Sequence, residues 1–362
     1  MPVGYPKTFG SVELDILRTL FTPETADIAL HMSWRFKSAA QIFADLPDDL
    51  SGRIGSAEKL TETLDAMARD KAILRRTKEA TYALVPFVVG MYELQVNSIS
   101  AEFYEKSVLP YFKAGFGLEY ISTRPSQTRV IPVNESIAVE NRVADWDYLD
   151  GLIENTKGEI ALITCICRKV ADLRHEPCKA TSRRELCMVF NDYADSVIRE
   201  GWGRKITKEE ALAVALENRK DGLILQPSNE KDPQVVCACC GCCCGLLGLY
   251  SFFKRPADFI ASNYEVRVGD GCRGCGLCEK FCQMKAITVK EKKPIVDTAR
   301  CAGCGVCAFK CPADVLTLAK KSETHEPPQN TEELYARISE RKAGIFRKLG
   351  VGLKGILGIR QG

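Results

Sequence analysis

The chain has 362 residues, of which 46% are apolar and 27% charged, and its formal net charge is +3. That length holds two or three domains with cores of their own, and so small a charge excludes a nucleic-acid function argued from electrostatics alone. No apolar run approaches the ~20 residues of a membrane-spanning helix, and the opening MPVGYPKTFG lacks the basic start and apolar core of an export signal. The expected setting is the cytoplasm, where a reducing environment makes eighteen cysteines read as metal ligands rather than disulfides.

Residues 1–95 read as helical with a terminal hairpin. VELDILRTLFT, TADIALHM and SAEKLTETLDAMARDKAIL carry helical periodicity, and RRTKEATYALVPF has the look of a β-wing. Three helices and a wing are winged-helix architecture, which raises DNA binding. The candidate recognition helix argues against it: Lys59 and Arg69 stand against Glu58, Glu62, Asp65 and Asp70. A helix presented to phosphate should be basic. Nucleic acid is therefore not the expected partner, and docking to a redox partner or structural support is.

Residues 96–260 form a cysteine-rich middle region. ELQVNSISAEFYEKSVLPYFKAGFGLEYI is expected to be one long helix leading into it, followed by a short strand in IPVNESI and a helix in VADWDYLDGLIEN. GFGLEY lacks the third glycine of a dinucleotide fingerprint. EIALITC reads as a buried strand, so Cys165 and Cys167, two apart, would share a face. Cys178 follows a proline in a loop, and Cys187 opens what reads as the helix ELCMVFNDYADSVIRE. Thr207 and Glu210 have capping-box spacing at the start of a further helix. QPSNEKDPQ, residues 226–234, reads as a polar linker. It delivers the chain to CACCGCCC, where Cys237, Cys239, Cys240, Cys242, Cys243 and Cys244 crowd into eight positions.

Thiols at that density oxidise and cross-link unless a metal holds them, and adjacent cysteines do not easily meet disulfide geometry. The run is expected to be a ligand belt, drawn round a metal centre by Gly241 and Gly245 and sharing that centre with at least one of Cys165, Cys167, Cys178 and Cys187. Ten thiols suffice for one or two further four-iron clusters; a zinc site or a dithiol pair are the alternatives. Arg168, next to Cys167, would either neutralise a reduced cluster through a charge-assisted hydrogen bond or remain a solvated surface charge.

Residues 261–320 carry the most specific signal. CRGCGLCEKFC (272–282) and CAGCGVCAFKCP (301–312) are each Cys-x2-Cys-x2-Cys-x3-Cys, and the second ends in Cys-Pro. Short steps with small residues let the backbone curl round a cubane, with Gly274, Gly276, Gly303 and Gly305 supplying the freedom. Two structural zinc ribbons would also use Cys-x2-Cys pairs, but not triplets with a fourth cysteine, duplicated. AITVKEKKPIVDTAR reads as strand, charged turn and strand, and DVLTLAK as the counterpart of AITVK.

On these runs, residues 264–320 resemble a bacterial dicluster ferredoxin domain. The resemblance implies two [4Fe–4S] clusters with crossed ligation: Cys272, Cys275, Cys278 and Cys311 for one, Cys301, Cys304, Cys307 and Cys282 for the other. Gln283 departs from the family, which usually has proline there. Residues 10–320, with Cys-x-Cys-Arg, two later cysteines and the dense run, resemble poorly characterised ferredoxin-type proteins of anaerobes that also carry a winged-helix-like amino-terminal region. That implies electron transfer rather than a known substrate.

Residues 321–362 are a polar, proline-bearing linker and a basic tail. From Arg341 to Arg360 there are six basic residues and no acidic one, with Ile345, Leu349, Leu353 and Ile356 at helical spacing, although five glycines between Gly344 and Gly358 weaken a helix. Such a segment lies on an anionic membrane face, docks on an acidic partner, or packs on its own chain.

The whole reads as α+β: a winged-helix-like region, a mixed cysteine-rich domain, a ferredoxin-like domain and an amphipathic tail. The expected function is iron–sulfur electron transfer between a low-potential donor and a partner oxidoreductase. The alternatives are a redox-sensing regulator acting through the winged helix, and a reductase with chemistry at the extra cysteine-rich site.

Overall fold

The structure is a computed structural model and describes residues 3–8, 10–133 and 145–361. Helix and strand are mixed throughout the chain, in agreement with the α+β expectation.

At the amino-terminal end, helices Val12–Leu20, Pro23–Leu30 and Ala57–Arg69 form where apolar periodicity places them. Thr22 and Ser38 each close a capping box, and Ser56 caps the third helix through the Lys59 N–H. Two shorter helices, Ala39–Ala44 and Asp48–Ile54, lie between them and are not legible as periodic runs. The strands β1 (Lys37–Ser38), β2 (Ile73–Arg76) and β3 (Thr81–Leu84) form an antiparallel sheet in the order β1-β3-β2. Ile28, Ile42, Leu60, Leu64, Met67 and Tyr82 fill the core beneath it.

The long helix expected after it is broken. A short turn ends at Asn97, and Ser100 caps a new helical run from Ala101 to Ser122. That run contains widened turns at Tyr104–Val108 and Phe112–Phe116. Pro110 sits between them, lacking an N–H and carrying a ring that an ordinary α-turn would crowd.

The middle of the chain builds a five-stranded antiparallel sheet from β4 (Ile160–Thr164), β5 (Glu185–Phe190), β6 (Arg204–Ile206), β7 (Ile224–Pro227) and β8 (Val235–Cys239), in the order β6-β4-β5-β8-β7. Three sequence expectations change here. Strand β4 stops at Thr164, and Cys165 immediately precedes helix Ile166–Leu173, so Cys167 sits on a helix and not on the strand. Cys187 lies in β5, since ELCMVF is an apolar run buried from Leu186 onward, and the helix begins only at Asn191. The segment 226–234 is no free linker: Gln226, Ser228, Asn229 and Glu230 are buried. The Arg129 Nη1 donates to the Ser228 and Glu230 carbonyls at 2.6 and 2.8 Å, while its Nε pairs with Asp147. A buried guanidinium thus satisfies the backbone that polarity alone would send to solvent. Of the strand and helix expected in 131–155, residues 134–144 lie outside the described residues, and Leu149–Asn155 is helical.

In the ferredoxin region β9 (Tyr264–Val268) pairs with β12 (Leu316–Lys320), and β10 (Ile287–Lys290) forms a hairpin with β11 (Lys293–Val296). The carboxyl-terminal segment carries helix Thr331–Glu340, capped by Asn330, and helix Ile345–Leu357.

Candidate metal centres

The sheet and its flanking helices divide the ten cysteines outside the ferredoxin runs into two sets. Cys187 on β5 and Cys237 and Cys239 on β8 come together because β5 and β8 are paired neighbours. Cys165 and Cys167 join from the first turn of helix Ile166–Leu173, and Cys244 from the start of helix Gly245–Ser251. Their sulfurs form a closed ring within hydrogen-bonding reach, in the order Cys165, Cys167, Cys244, Cys239, Cys237, Cys187 and back to Cys165. Hydrogen bonds from Cys167 and Cys187, with Arg168 beside it, hold the Cys165 thiol well below the usual range. Cys167 and Cys187 are pushed up by those same hydrogen bonds to Cys165. Within the ring only Cys165 is shifted down, and the other five thiols are pushed up.

Cys178, Cys240, Cys242 and Cys243 make a second set, with all four sulfurs within 4.8 Å of one another. Cys178 lies 3.7 Å from Cys240 and 3.8 Å from Cys242, and Cys242 lies 3.5 Å from Cys240 and 3.6 Å from Cys243. A hydrogen bond from Cys243, then the charge of Arg168, brings the Cys240 thiol down to about 5. Sequence reasoning placed both segments at a common centre, and the structure does bring Cys178 to the dense run and Cys165, Cys167 and Cys187 to its flanks. The division into four and six depends on the β5–β8 pairing and was not legible.

Arg168 lies between the two sets. Its Nε donates to Cys178 Sγ at 3.3 Å, and its Nη1 donates to Cys165 Sγ at 3.4 Å and to the Ala238 carbonyl at 2.9 Å. It is only 1% exposed, so the solvated-charge reading fails. A guanidinium cannot shed its proton, and sulfur is the anionic partner these contacts give it.

One side of the ring opens on a cavity of about 880 Å³. Its walls are mostly apolar, including Tyr92, Phe112, Leu118, Ile121 and Phe253, with Leu349, Leu353 and Ile356 of helix Ile345–Leu357 at the rim. Glu93 also lines it and accepts the Gly90 N–H at 2.7 Å. Burial pushes this carboxyl up to about 8, so it holds a proton at neutral pH. Nothing in the sequence around Glu93 signals this; burial creates it.

In the ferredoxin runs Cys282 stands in electrostatic reach of Cys301, Cys304 and Cys307, as crossed ligation would need, and Cys278 in reach of Cys275 and Cys272. Gly274, Gly276, Gly303 and Gly305 all have φ between 68 and 76°, and a Cβ on Gly303 would meet the Tyr264 carbonyl oxygen at 2.1 Å. Backbone N–H groups point at sulfur: Gly274 to Cys272 at 3.4 Å and Ala286 to Cys282 at 3.1 Å. Cys275 is exposed, whereas the partly buried Cys282, Cys301 and Cys304 pack against the apolar core that includes Cys239 and Cys244.

The departure at Gln283 has a structural use. Its Oε1 accepts the Gly241 N–H at 2.8 Å, and its Nε2 donates to the Gly222 carbonyl at 2.9 Å. A Cβ on Gly241 would meet the Gln283 carbonyl oxygen at 2.2 Å. Gln283 thus fastens the ferredoxin region onto the turn of the dense cysteine run, which a proline side chain has no polar atoms to do.

A protein-family model described as 4Fe-4S dicluster domain matches residues 271–327. That stretch is a ferredoxin-type dicluster domain, in agreement with the resemblance carried by its two cysteine runs. No curated protein and no solved structure matches the chain.

Proposed function

We propose that the protein transfers electrons between a low-potential donor and a partner oxidoreductase. [4Fe–4S] clusters supply one-electron chemistry when bound. Cys272, Cys275, Cys278 and Cys311 would hold one at the solvent edge, and Cys282, Cys301, Cys304 and Cys307 the other, toward the interior. The backbone N–H groups on Cys272 and Cys282 favour the more negative state of a sulfur ligand. The thiol ring would hold a further iron–sulfur centre, with Arg168 offsetting its charge. The observation that carries this reading is that Cys282, Cys301 and Cys304 pack against the same apolar core that holds Cys239 and Cys244, with Gln283 hydrogen-bonded to Gly241 of the dense run.

The test is anaerobic purification with iron, zinc and acid-labile sulfide counted per chain. At least eight iron and eight sulfide are expected. Removing residues 237–244 should lower iron below the wild-type content while leaving the ferredoxin signals in place. Zinc in place of iron with negligible sulfide would overturn the reading.

A second reading, a reductase acting on an apolar substrate, is favoured by the cavity that meets the ring with a protonated carboxyl in its wall. We assign the helix-and-sheet region at the amino terminus, winged-helix-like in its order of elements, to partner docking. Its helix Ala57–Arg69 exposes Glu58 and Glu62 as well as Lys59 and Arg69, a poor surface for phosphate. Helix Ile345–Leu357 we assign to an anionic membrane face, for reasons of packing given below.

A further inference from the structure

We propose that Cys178, Cys240, Cys242 and Cys243 bind a single tetrahedral divalent ion of the zinc class, not an iron–sulfur cluster. The sulfur–sulfur distances decide it. A Zn–S bond of about 2.3 Å sets the edge of a regular thiolate tetrahedron at about 3.8 Å. Four of the six distances in this set are 3.5, 3.6, 3.7 and 3.8 Å, and the other two lie within 4.8 Å. A cubane spreads its four thiolates over four separate irons and stands them much farther apart. The same molecule supplies the contrast: among the described residues, no three of the eight ferredoxin thiols fall within the 4.8 Å span that encloses this quartet.

The surroundings agree with a closed ion site. The backbone N–H groups of Lys179 and Cys243 serve the sulfurs of Cys242 and Cys240, as turns that cradle a thiolate-bound ion do. Four thiolates and a divalent ion carry net negative charge, and the buried Arg168 guanidinium touches Cys178 at 3.3 Å. Four protein ligands leave no open position, so the site is structural. It ties the loop bearing Cys178 to the turn after β8 and holds Arg168 against Cys165. Redox chemistry in the middle region is then left to the ring of six.

This inference stands apart from the electron-transfer reading, and one set of samples separates them. Zinc, iron and acid-labile sulfide are measured in wild-type, Cys178→Ser and Cys243→Ser proteins prepared anaerobically, with zinc K-edge absorption on the wild type. The expected result is about one zinc per wild-type chain in an all-sulfur shell with no neighbouring metal, lost in both variants while iron and sulfide hold. Absence of zinc from the wild type, or loss of iron and sulfide together in the variants, would overturn the proposal. The wild-type absorption spectrum decides the case even where a serine variant does not fold. Failure of the electron-transfer reading would show instead as missing sulfide in every sample.

Discussion

Gln283 shows how far a single side chain can be read in advance. The sequence marks it only as the place where a proline is usual. Its function lies across the fold, in two hydrogen bonds to Gly241 and Gly222, and no local pattern points to residues forty and sixty positions away. Gln283→Ala should remove both and leave the Gly241 N–H and Gly222 carbonyl to find water. At roughly 1 kcal/mol per bond, the cost is about 1–3 kcal/mol. We expect a lower thermal midpoint for the anaerobic holoprotein and unchanged iron and sulfide content, since none of the cysteines moves. Loss of the ferredoxin clusters in this variant would show that Gln283 shapes the cluster pocket and does not merely fasten it. The dicluster domain, by contrast, was legible, because its two cysteine runs carry spacings of two and three residues. The other ten announced metal by density alone.

Among the elements, helix Ile345–Leu357 inverts the usual amphipathic arrangement. Its glycines looked like a reason to doubt it. They are instead its contact face: Gly352 and Gly355 are the buried residues, lying over Leu118, Phe253 and Phe259. The large apolar residues point the other way, with Phe346 87% exposed and Ile345, Leu349 and Leu353 more than half exposed. Composition reveals an apolar stripe but not which stripe the protein buries. A Cβ on Gly355 would approach Phe253 Cδ1 to 2.6 Å and Phe259 Cζ to 2.8 Å. Gly355→Ala should therefore lift the helix and cost about 1–3 kcal/mol as overpacking, read as a lower thermal midpoint and earlier proteolysis after residue 340. The β5 strand offers the same lesson. ELCMVFNDYADSVIRE reads as one helix until tertiary pairing claims its first six residues, Glu185–Phe190. Periodicity cannot separate a short buried strand from a buried helical turn.

For the molecule as a whole, the exposed apolar face of that helix, the exposed Phe252 beside it and the basic side chains of Arg347, Lys354 and Arg360 define one side. Among the described residues, no helix is long and apolar enough to cross a membrane. The surface suits a molecule lying on an anionic bilayer, apolar residues inserted and basic ones at the headgroups. Co-sedimentation with vesicles containing phosphatidylglycerol is expected, weakening as salt rises and absent with pure phosphatidylcholine. Phe346→Asp together with Leu353→Asp should abolish it. Binding that survives those changes would assign the surface to another part of the chain. The cavity rim belongs to this same side, so a lipid-soluble substrate would find its entrance facing the membrane.

The Gln283 clasp also has a consequence for biogenesis. Every thiol of the ring and the quartet has been synthesised by Cys244, nearly forty residues before Gln283 leaves the ribosome. Until then the Gly241 N–H lacks the side chain that covers it, so the contact between the two regions can form only after the dense run is complete.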